Sequence, residues 1–301
     1  MTHLQKIPYP FEDLVMYPRV AALTTLMPNG SPQTTPVWCD YDGTYIRVNT
    51  MRGFRKEKNM RANPKVTLLC YDPHEPLRSL EIRGAVMETT EDGAMEHLDN
   101  LTFGYIGKKP YFGVCVPAEL REKEIPTLCK ILPQHIVALD ARKKNTEKII
   151  PLDEHPQLDD LTHSPIPASH LDLLTRPVHG VLTTLMPDCQ PQSSLVWCDF
   201  DGECARVNTS LERQKGRNLS RNPKVSLLIV DPENTGRFVQ IRGKAELVYE
   251  GAIPHLDEIT RQYTDHPQYY GYVFPLEKRE RETRVICRIH AERVTLDAIH
   301  S

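Results

Sequence analysis

Basic residues stand at the start of two helical segments, where positive charge and free backbone amides could hold an anion. The pairs are Arg55 with Lys56, and Arg213 with Lys215. The first turn of a helix normally favours acidic residues, because its unpaired N–H groups and the helix dipole carry partial positive charge. Cations are favourable there when an anion such as phosphate is bound. A solvated basic helix face explains the same residues, so the pattern leaves both interpretations open.

The two basic segments belong to a repeat that covers most of the sequence. Residues 22–50, ALTTLMPNGSPQTTPVWCDYDGTYIRVNT, match residues 181–209, VLTTLMPDCQPQSSLVWCDFDGECARVNT, without a gap. The match continues to Gly84 and Gly243 and returns near the end of each half. A repeat of this length excludes a solenoid and predicts two tandem domains.

Each half of the sequence is long enough to bury a core of its own. We expect one domain over residues 1–145 and a second over 164–301. Between them, residues 146–163 are polar and rich in proline, which predicts a linker. Two similar domains on one chain can pack like the subunits of a two-fold dimer. The repeat therefore predicts an intramolecular pseudo-dimer.

Strand patterns dominate each repeat. In the first, VAALTTLM, QTTPVWCDYDG, TYIRVNT, KVTLLCYD, SLEIRGAVMET and CKILPQHIVALDA are predicted strands. FRKEKNMRAN has helical spacing and should end at Asn63-Pro64, because a residue before proline leaves the helical region. A second, amphipathic helix has Thr90 as its candidate cap. Five or six antiparallel strands with two helices predict a mainly β fold, a small barrel.

Composition narrows the classes of partner. The net charge of −3 gives no global basic field, so we expect no nucleic-acid partner. The sequence has neither a long apolar run nor the zones of a secretory signal, so we expect no membrane partner and a cytoplasmic location. The eight cysteines form no C-x-x-C pair, which favours reduced, buried thiols. His97 and His255 match each other but lack a third ligand, so no metal site is predicted.

An ordered set of short motifs occurs in both repeats. It runs Trp-x-x-x-Asp-Gly, a strand ending Asn-Thr, a basic turn, Lys-x-x-Asn-Leu/Met-x-x-Asn-Pro-x-Val, Asp-Pro and Ile-Arg-Gly. This order resembles the pyridoxamine 5′-phosphate oxidase-like FMN-binding split-barrel superfamily, and within it the flavin- and deazaflavin-dependent oxidoreductases. The resemblance implies two tandem split β-barrels. It also implies FMN or a deazaflavin coenzyme of the F420 type, with its phosphate end at the basic turn.

The residues that match cofactor-binding positions of that family lie on two strands and at the basic turn of each repeat. They are Pro36, Val37, Trp38, Asn49, Thr50, Arg55 and Lys56 in the first repeat, and Val196, Trp197, Asn208, Thr209, Arg213 and Lys215 in the second. Leu195 stands opposite Pro36, and Phe54 stands where the second repeat has Arg213.

The resemblance implies that the two turns are not equivalent. Arg213 and Lys215 match the Arg-x-Lys pattern of the deazaflavin branch, whereas the adjacent Arg55 and Lys56 are similar to the pair of the FMN-binding oxidases. We therefore expect replacement of the second pair to weaken cofactor binding more than replacement of the first.

The aromatic residues near these positions have two interpretations each. Trp38 and Trp197 fit either packing in a core or interface, or stacking on a cofactor ring. Four tyrosines fit either surface packing or a substrate mouth: Tyr105, Tyr111, Tyr263 and Tyr269.

The resemblance implies an oxidoreductase that transfers a hydride between the bound cofactor and a small conjugated organic molecule, with a tyrosine or water supplying the proton. No side chain is assigned as catalytic. The alternative is a non-catalytic flavin or haem carrier of the same fold. An enzyme acting on pyridoxal phosphate is disfavoured, because residues 292–301, ERVTLDAIHS, lack the Arg-rich motif of the true oxidases.

Overall fold

The structure, a computed structural model, describes residues 5–141 and 165–297. The chain divides into two compact units, the first ending at Leu139 and the second beginning at Asp140. The predicted linker at 146–163 lies outside the described residues. Within the described ranges, no helix combines the length and the hydropathy that crossing a membrane requires.

The first unit is built on a seven-stranded antiparallel sheet. Its strands are β1 (Val20–Leu26), β2 (Pro32–Val37), β3 (Cys39–Tyr41), β4 (Ile46–Met51), β5 (Lys65–Tyr71), β6 (Arg78–Thr90) and β7 (Pro126–Asp140). Its helices are α1 (Arg55–Ala62), α2 (Ala94–Ile106) and the short α3 (Tyr111–Val114), with 3-10 turns at Tyr9–Leu14 and Ala118–Glu122. The strand order across the sheet is β2-β1-β5-β6-β7-β4-β3.

The second unit repeats this architecture strand for strand. Its strands are β8 (Gly180–Leu185), β9 (Pro191–Val196), β10 (Cys198–Phe200), β11 (Ala205–Ser210), β12 (Lys224–Val230), β13 (Phe238–Val248) and β14 (Arg284–Leu296). Its helices are α4 (Asp172–Thr175), α5 (Gln214–Leu219) and α6 (Ala252–Tyr263), with 3-10 turns at Ala168–His170 and Leu276–Arg281. The order β9-β8-β12-β13-β14-β11-β10 equals that of the first unit. The tandem, mainly β split-barrel fold is confirmed; the pseudo-dimer stays a prediction.

The segment QTTPVWCDYDG, predicted as one strand, forms two. β2 ends at Val37 and β3 begins at Cys39, so Trp38 between them leaves the hydrogen-bonded ladder. β2 pairs with β1 at one edge of the sheet, whereas β3 pairs with β4 at the other edge. One chain segment can serve both edges only because the sheet curls towards a barrel. Trp197 separates β9 from β10 in the same way.

Each sheet curls around a core of its own. Inward-facing residues of five strands fill the first core: Leu23, Val48, Leu68, Ile82 and Ile131. Their counterparts fill the second: Leu182, Val207, Leu227, Ile241 and Ile289. Gly84 lets β6 and β7 approach closely, since a Cβ there would lie 2.3 Å from the carbonyl oxygen of Leu132.

The two predicted helices of the first repeat are present, with one correction. α1 stops at Ala62, and Asn63 before the proline is extended, with φ −143° and ψ 111°. The N-cap of α2 is Gly93 in the left-handed region at φ 69°, so the prediction of Thr90 was wrong. Thr90 is the last residue of β6, and its hydroxyl accepts a hydrogen bond from the Asp92 amide at 3.1 Å. Thr90 therefore shapes the turn that precedes the helix.

Candidate functional site

The first basic turn joins the end of β4 to α1. Phe54 is the N-cap of α1, with φ −66° and ψ 155°, and no side chain there accepts a hydrogen bond from the first-turn amides. Arg55 is exposed, whereas only 8% of the surface of Lys56 is accessible. The Lys56 Nζ lies 5.9 Å from the centroid of the Phe54 ring. The turn therefore combines helix-start amides that no N-cap side chain among the described residues satisfies with one exposed and one buried cation.

Lys56 is a buried charge with no counter-charge among the described residues. Within residues 5–141 and 165–297, its ammonium contacts no carboxylate and no hydrogen-bond acceptor. Burial disfavours the charged form and lowers the pKa of Lys56 to about 8. The neighbouring carboxylate, Glu57, instead accepts a hydrogen bond from the Gly53 amide at 3.1 Å and pairs with Arg61. A buried unpaired cation is costly, and an anion at this turn would remove that cost.

The second basic turn has the same backbone and different pairing. Arg213 is the N-cap of α5, with φ −80° and ψ 153°, and Lys215 lies half-buried in the first turn. The Arg213 guanidinium lies 3.4 Å from Glu282 Oε1 and 3.3 Å from the Tyr269 hydroxyl. Glu282 also binds the buried Arg284, whose Nη2 lies 2.6 Å from Glu282 Oε2. The chain itself therefore compensates the charge of Arg213.

Several buried polar atoms at the predicted cofactor positions, or next to them, have no hydrogen-bond partner among the described residues. They are Oγ1 of Thr35, Oδ1 of Asn49 and Oγ1 of Thr50 in the first unit, and Oγ of Ser194, Oδ1 of Asn208 and Oγ1 of Thr209 in the second. Buried polar atoms are nearly always paired, so the same unpaired set in both copies makes these positions candidates for contact with a ligand. The sequence interpretation missed Thr35 and Ser194, although they precede Pro36 and Leu195.

Asn49 also attaches a helix to the barrel. Its Nδ2 donates to the Ala94 carbonyl at 2.7 Å and lies 3.3 Å from Nδ1 of His97. The other His97 nitrogen lies 3.3 Å from Oδ1 of Asp40. Burial opposes ionisation of Asp40, but hydrogen bonds from His97 and Arg47 outweigh it and lower the pKa of that carboxyl. This Asn-His-Asp network fixes α2 against β4.

The same network recurs in the second unit. Asn208 Nδ2 donates to the Ala252 carbonyl at 2.7 Å, and His255 lies 3.3 Å from both Asn208 Nδ2 and Asp199 Oδ1. The pKa of Asp199 is lowered too, since bonds from His255 and Arg206 outweigh the effect of burial. The two matching histidines of the sequence therefore join helix to strand in both units.

Both tryptophans pack in aromatic clusters under a helix. Trp38 stacks on Tyr105 with ring centroids 5.0 Å apart, and Trp197 stacks on Tyr263 at 5.3 Å. The hydroxyl of Tyr105 donates to the Cys39 carbonyl at 3.1 Å, and that of Tyr263 bonds the Cys198 backbone. Tyr111 and Tyr269 meet the tryptophans edge-on. These contacts favour packing for both tryptophans and all four tyrosines. Three of the tyrosines, Tyr111, Tyr263 and Tyr269, are buried, whereas the sequence interpretation placed their packing at the surface.

A half-buried histidine that the sequence interpretation did not single out orients Trp197. His179 lies 3.1 Å from Nε1 of Trp197, and burial lowers the pKa of His179 to about 4. The imidazole is therefore neutral near physiological pH, and its Nε2 accepts a hydrogen bond from the indole N–H. The remaining predicted strand residues lie in the barrel walls: Pro36 is half-buried, while Val37 and Val196 pack against the two cores.

The chain matches one family model and is similar, over parts of its length, to two solved structures. The model of the family described as pyridoxamine 5′-phosphate oxidase matches residues 10–110 and 166–296. An F420 reductase is 31% identical, with a TM-score of 0.38, over 43% of this chain and 98% of its own. A conserved hypothetical protein from Mycobacterium tuberculosis is 30% identical, with a TM-score of 0.35, over 47% of this chain and 88% of its own.

Proposed function

Because the chain belongs to the pyridoxamine 5′-phosphate oxidase family, we propose that it binds FMN or a deazaflavin coenzyme of the F420 type and uses it as an oxidoreductase. The phosphate-bearing end of the cofactor binds at the basic turns, and the substrate is a small conjugated organic molecule. When bound, the cofactor supplies the hydride chemistry, and the protein supplies binding and orientation.

The observation that carries this proposal is Lys56. Its ammonium is buried at a helix start and has no partner within the described ranges, which is the environment that a phosphate completes. The neighbouring Arg55 is exposed and adds a second cation to the same turn. A phosphate here would accept hydrogen bonds from the Lys56 ammonium and from the first-turn amides of α1.

The unpaired atoms on the strands support the same placement. Thr50 is the next-to-last residue of β4, just before the turn, and its buried hydroxyl has no partner among the described residues. A hydroxyl can donate to a phosphate or a ring carbonyl and can accept from a ring N–H. Thr209 occupies the corresponding place in the second unit. These positions fit a ligand with several polar groups, as both cofactors have.

The test is a titration of FMN, and separately of a deazaflavin coenzyme, into the full-length protein. Lys56→Gln should weaken binding about 10–100-fold, because a hydrogen bond to a charged group contributes roughly 1.5–3 kcal/mol. Lys58→Gln is the matched control, since Lys58 lies on the exposed face of the same helix. If neither cofactor binds, or if the two variants behave alike, the proposal fails.

The pH dependence of binding gives a second readout. Lys56 has a pKa of about 8 in the free protein, and a bound phosphate raises it. Affinity should therefore fall as the pH rises above about 8, because the free protein then loses the Lys56 proton. The same titration on Lys56→Gln should lack the fall in this pH range.

A non-catalytic carrier is the second candidate. The hydroxyls of Tyr105 and Tyr263 donate to backbone carbonyls, so neither is directed towards a substrate as a proton donor. Reducing the bound cofactor and adding conjugated acceptors separates the two candidates. Turnover supports the oxidoreductase, whereas tight binding without turnover of any acceptor supports the carrier.

A further inference from the structure

A thiol, an imidazole and a carboxylate meet at one end of the second barrel. Cys204 and Glu203 lie in the turn between β10 and β11, and His290 lies on β14. Their Sγ, ring nitrogen and carboxylate oxygen are all within 4.8 Å of one another. Cys204 and His290 are 86 residues apart in sequence, so spacing motifs could not have revealed the group.

The turn is built to present Cys204 and Glu203 together. The Asp201 carboxylate accepts hydrogen bonds from the backbone amides of both residues, at 3.0 Å from Glu203 and 2.7 Å from Cys204. The neighbouring residue on β11, Ala205, pairs with Ile289, which places His290 beside the turn. The thiol is buried, whereas the side chains of Glu203 and His290 are 75% and 46% exposed. Solvent can therefore reach the group from the side of Glu203 and His290.

The distance between sulfur and nitrogen suits a tetrahedral metal ion. Cys204 Sγ lies 3.5 Å from His290 Nδ1. Bonds of about 2.3 Å to sulfur and about 2.0 Å to nitrogen, meeting at a tetrahedral angle, separate the two ligand atoms by roughly 3.5 Å. The observed distance also fits a thiol that donates a hydrogen bond to the imidazole, and in that state a metal would replace the shared proton.

His290 is held as metal-binding histidines usually are. Its Nε2 lies 2.8 Å from Glu246 Oε2 on the neighbouring strand β13. A carboxylate at one ring nitrogen fixes the tautomer and leaves the lone pair of the other nitrogen free to bind a metal. In His290 that other nitrogen is Nδ1, the atom that faces the thiol. Glu246 therefore has the position that a carboxylate usually has beside a zinc-binding histidine.

The surrounding charges favour a cation. Asp201, Glu203 and Glu246 all carry carboxylates at this end of the barrel, and each lies within 4 Å of the guanidinium of Arg288. The carboxylates outnumber the guanidinium that contacts them, and a thiolate would add a further negative charge. A divalent cation would reduce this excess.

The first unit is a natural comparison, because it keeps the turn and lacks the ligands. Asp42 accepts hydrogen bonds from the amides of Thr44 and Tyr45 just as Asp201 does from Glu203 and Cys204. The residues at the four relevant positions are all different in the first unit: Thr44, Tyr45, Met87 and Leu132. The turn geometry thus belongs to the fold, whereas the thiol, imidazole and carboxylates are particular to the second unit.

We propose that Cys204, His290 and Glu203 bind one Zn²⁺ ion, with Glu246 as the positioning residue of His290. Binding releases the thiol proton to solvent and forms bonds from zinc to Sγ, Nδ1 and a carboxylate oxygen of Glu203; water completes the tetrahedron. The thiolate, imidazole and carboxylate set suits zinc better than Mg²⁺ or Ca²⁺, which prefer oxygen ligands. The ion would join the β10–β11 turn to β14.

The test uses the full-length protein, kept reduced and freed of metal with a chelator. Zn²⁺ is titrated in competition with a chromophoric chelator, and Co²⁺ serves as a spectroscopic probe. We expect one tight site per chain and a thiolate-to-cobalt charge-transfer band. Cys204→Ser and His290→Leu should abolish both, and Glu246→Gln should weaken zinc binding about 10–100-fold. Cys189→Ser is the matched control, because Cys189 is an exposed free thiol.

Each outcome decides the proposal. Loss of the site in Cys204→Ser and His290→Leu, with Cys189→Ser unchanged, supports it. Absence of the cobalt band in the wild type, or unchanged zinc affinity in His290→Leu, overturns it. His290→Leu is informative even if Cys204→Ser folds poorly, because His290 is half-exposed and leucine is the residue found at this place in the first unit.

Discussion

The two basic turns share one backbone conformation and differ in how their positive charge is compensated. In the first turn, the buried cation is Lys56, which has the Phe54 ring as a neighbour and no counter-charge within the described ranges. In the second, Arg213 lies near Glu282, which also binds the buried Arg284. The fold fixes the position of the turn, and the surrounding side chains determine whether its positive charge is already paired or can still bind an anion.

This difference leads us to predict the opposite of an expectation from the sequence. The Arg-x-Lys pattern of Arg213 and Lys215 ranks the second turn above the first as a phosphate site. Yet an anion at Arg213 must compete with Glu282, whereas an anion at Lys56 would supply a missing counter-charge. We now expect Lys56→Gln to weaken cofactor binding more than Arg213→Gln. Equal losses would show that the pairing with Glu282 does not affect the site.

The largest expected effect comes from removing the internal counter-charge of the second turn. Glu282→Ala would leave Arg284, whose side chain is 2% exposed, without its carboxylate. Removing one partner of a buried ion pair typically destabilises a protein by about 3–5 kcal/mol. Urea unfolding of the cofactor-free protein measures the change in the free energy of unfolding.

The first unit provides the control for this substitution. Glu124 stands at the place of Glu282, and Pro126 at the place of Arg284. Because Pro126 carries no guanidinium, Glu124→Ala leaves no buried cation without its carboxylate at that position. It should therefore lower the free energy of unfolding clearly less than Glu282→Ala does. A loss as large as that of Glu282→Ala would mean that the ion pair is not what distinguishes the second turn.

The next effect has the opposite sign and concerns the first turn. Lys56→Met removes the buried ammonium and keeps the apolar stem, so it should stabilise the cofactor-free protein by at most about 3 kcal/mol near neutral pH. The wild type should gain stability as pH rises from about 8, the pKa of Lys56 in the folded state, towards its ordinary value of 10.5. The reason is that the unfolded chain binds more protons over that range.

Urea unfolding at several pH values tests this prediction. The rise in stability above about pH 8 should be absent in Lys56→Met, because the variant has no group at that position to titrate. Lys215→Met should change stability less, since Lys215 is only half-buried. A destabilised Lys56→Met protein would contradict the view that the lysine is kept for binding at a cost in stability.

Residue patterns were sufficient for the tandem repeat and the mainly β class, because the strands of one half align with those of the other; the split barrel followed from the family resemblance. The alternation of β4, for example, places Val48 in the core and leaves the end of the strand for Asn49 and Thr50. The pattern failed at Trp38, where an unbroken alternation hid the point at which the chain passes from one sheet edge to the other. It failed again at Thr90, because a left-handed glycine, Gly93, begins the helix.

The site was less predictable than the fold, for a physical reason. A basic turn can be recognised locally, but its compensation depends on residues distant in sequence, as with Arg213 and Glu282. The group of Cys204 and His290 is a second example, since each residue alone is unremarkable in its strand or turn. Charge pairing and the geometry of metal ligands depend on contacts between residues distant in sequence, and local residue patterns do not show such contacts.

The smallest expected difference is between the two Asn-His-Asp networks, which are matched in every contact. Asp40→Asn and Asp199→Asn should each destabilise the protein by about 1–3 kcal/mol, the usual cost of removing a buried hydrogen-bonding partner. Both carboxyls have lowered pKa values in the folded protein, so they stabilise it above the ordinary pKa of aspartate. That contribution should disappear as the pH falls through the lowered values, and the variants should lack this part of the acid sensitivity.

Equal losses in the two aspartate variants would show that both units hold helix against strand in the same way. A difference between Lys56 and Arg213 in cofactor binding could then be attributed to their own neighbours, because the Asn-His-Asp networks near the two turns would be energetically equivalent. Unequal losses of stability would mean that the contacts holding helix against strand have weakened in one unit since the duplication. In that case a difference in cofactor affinity between the turns could arise from the position of the helix as well as from the charge at its start.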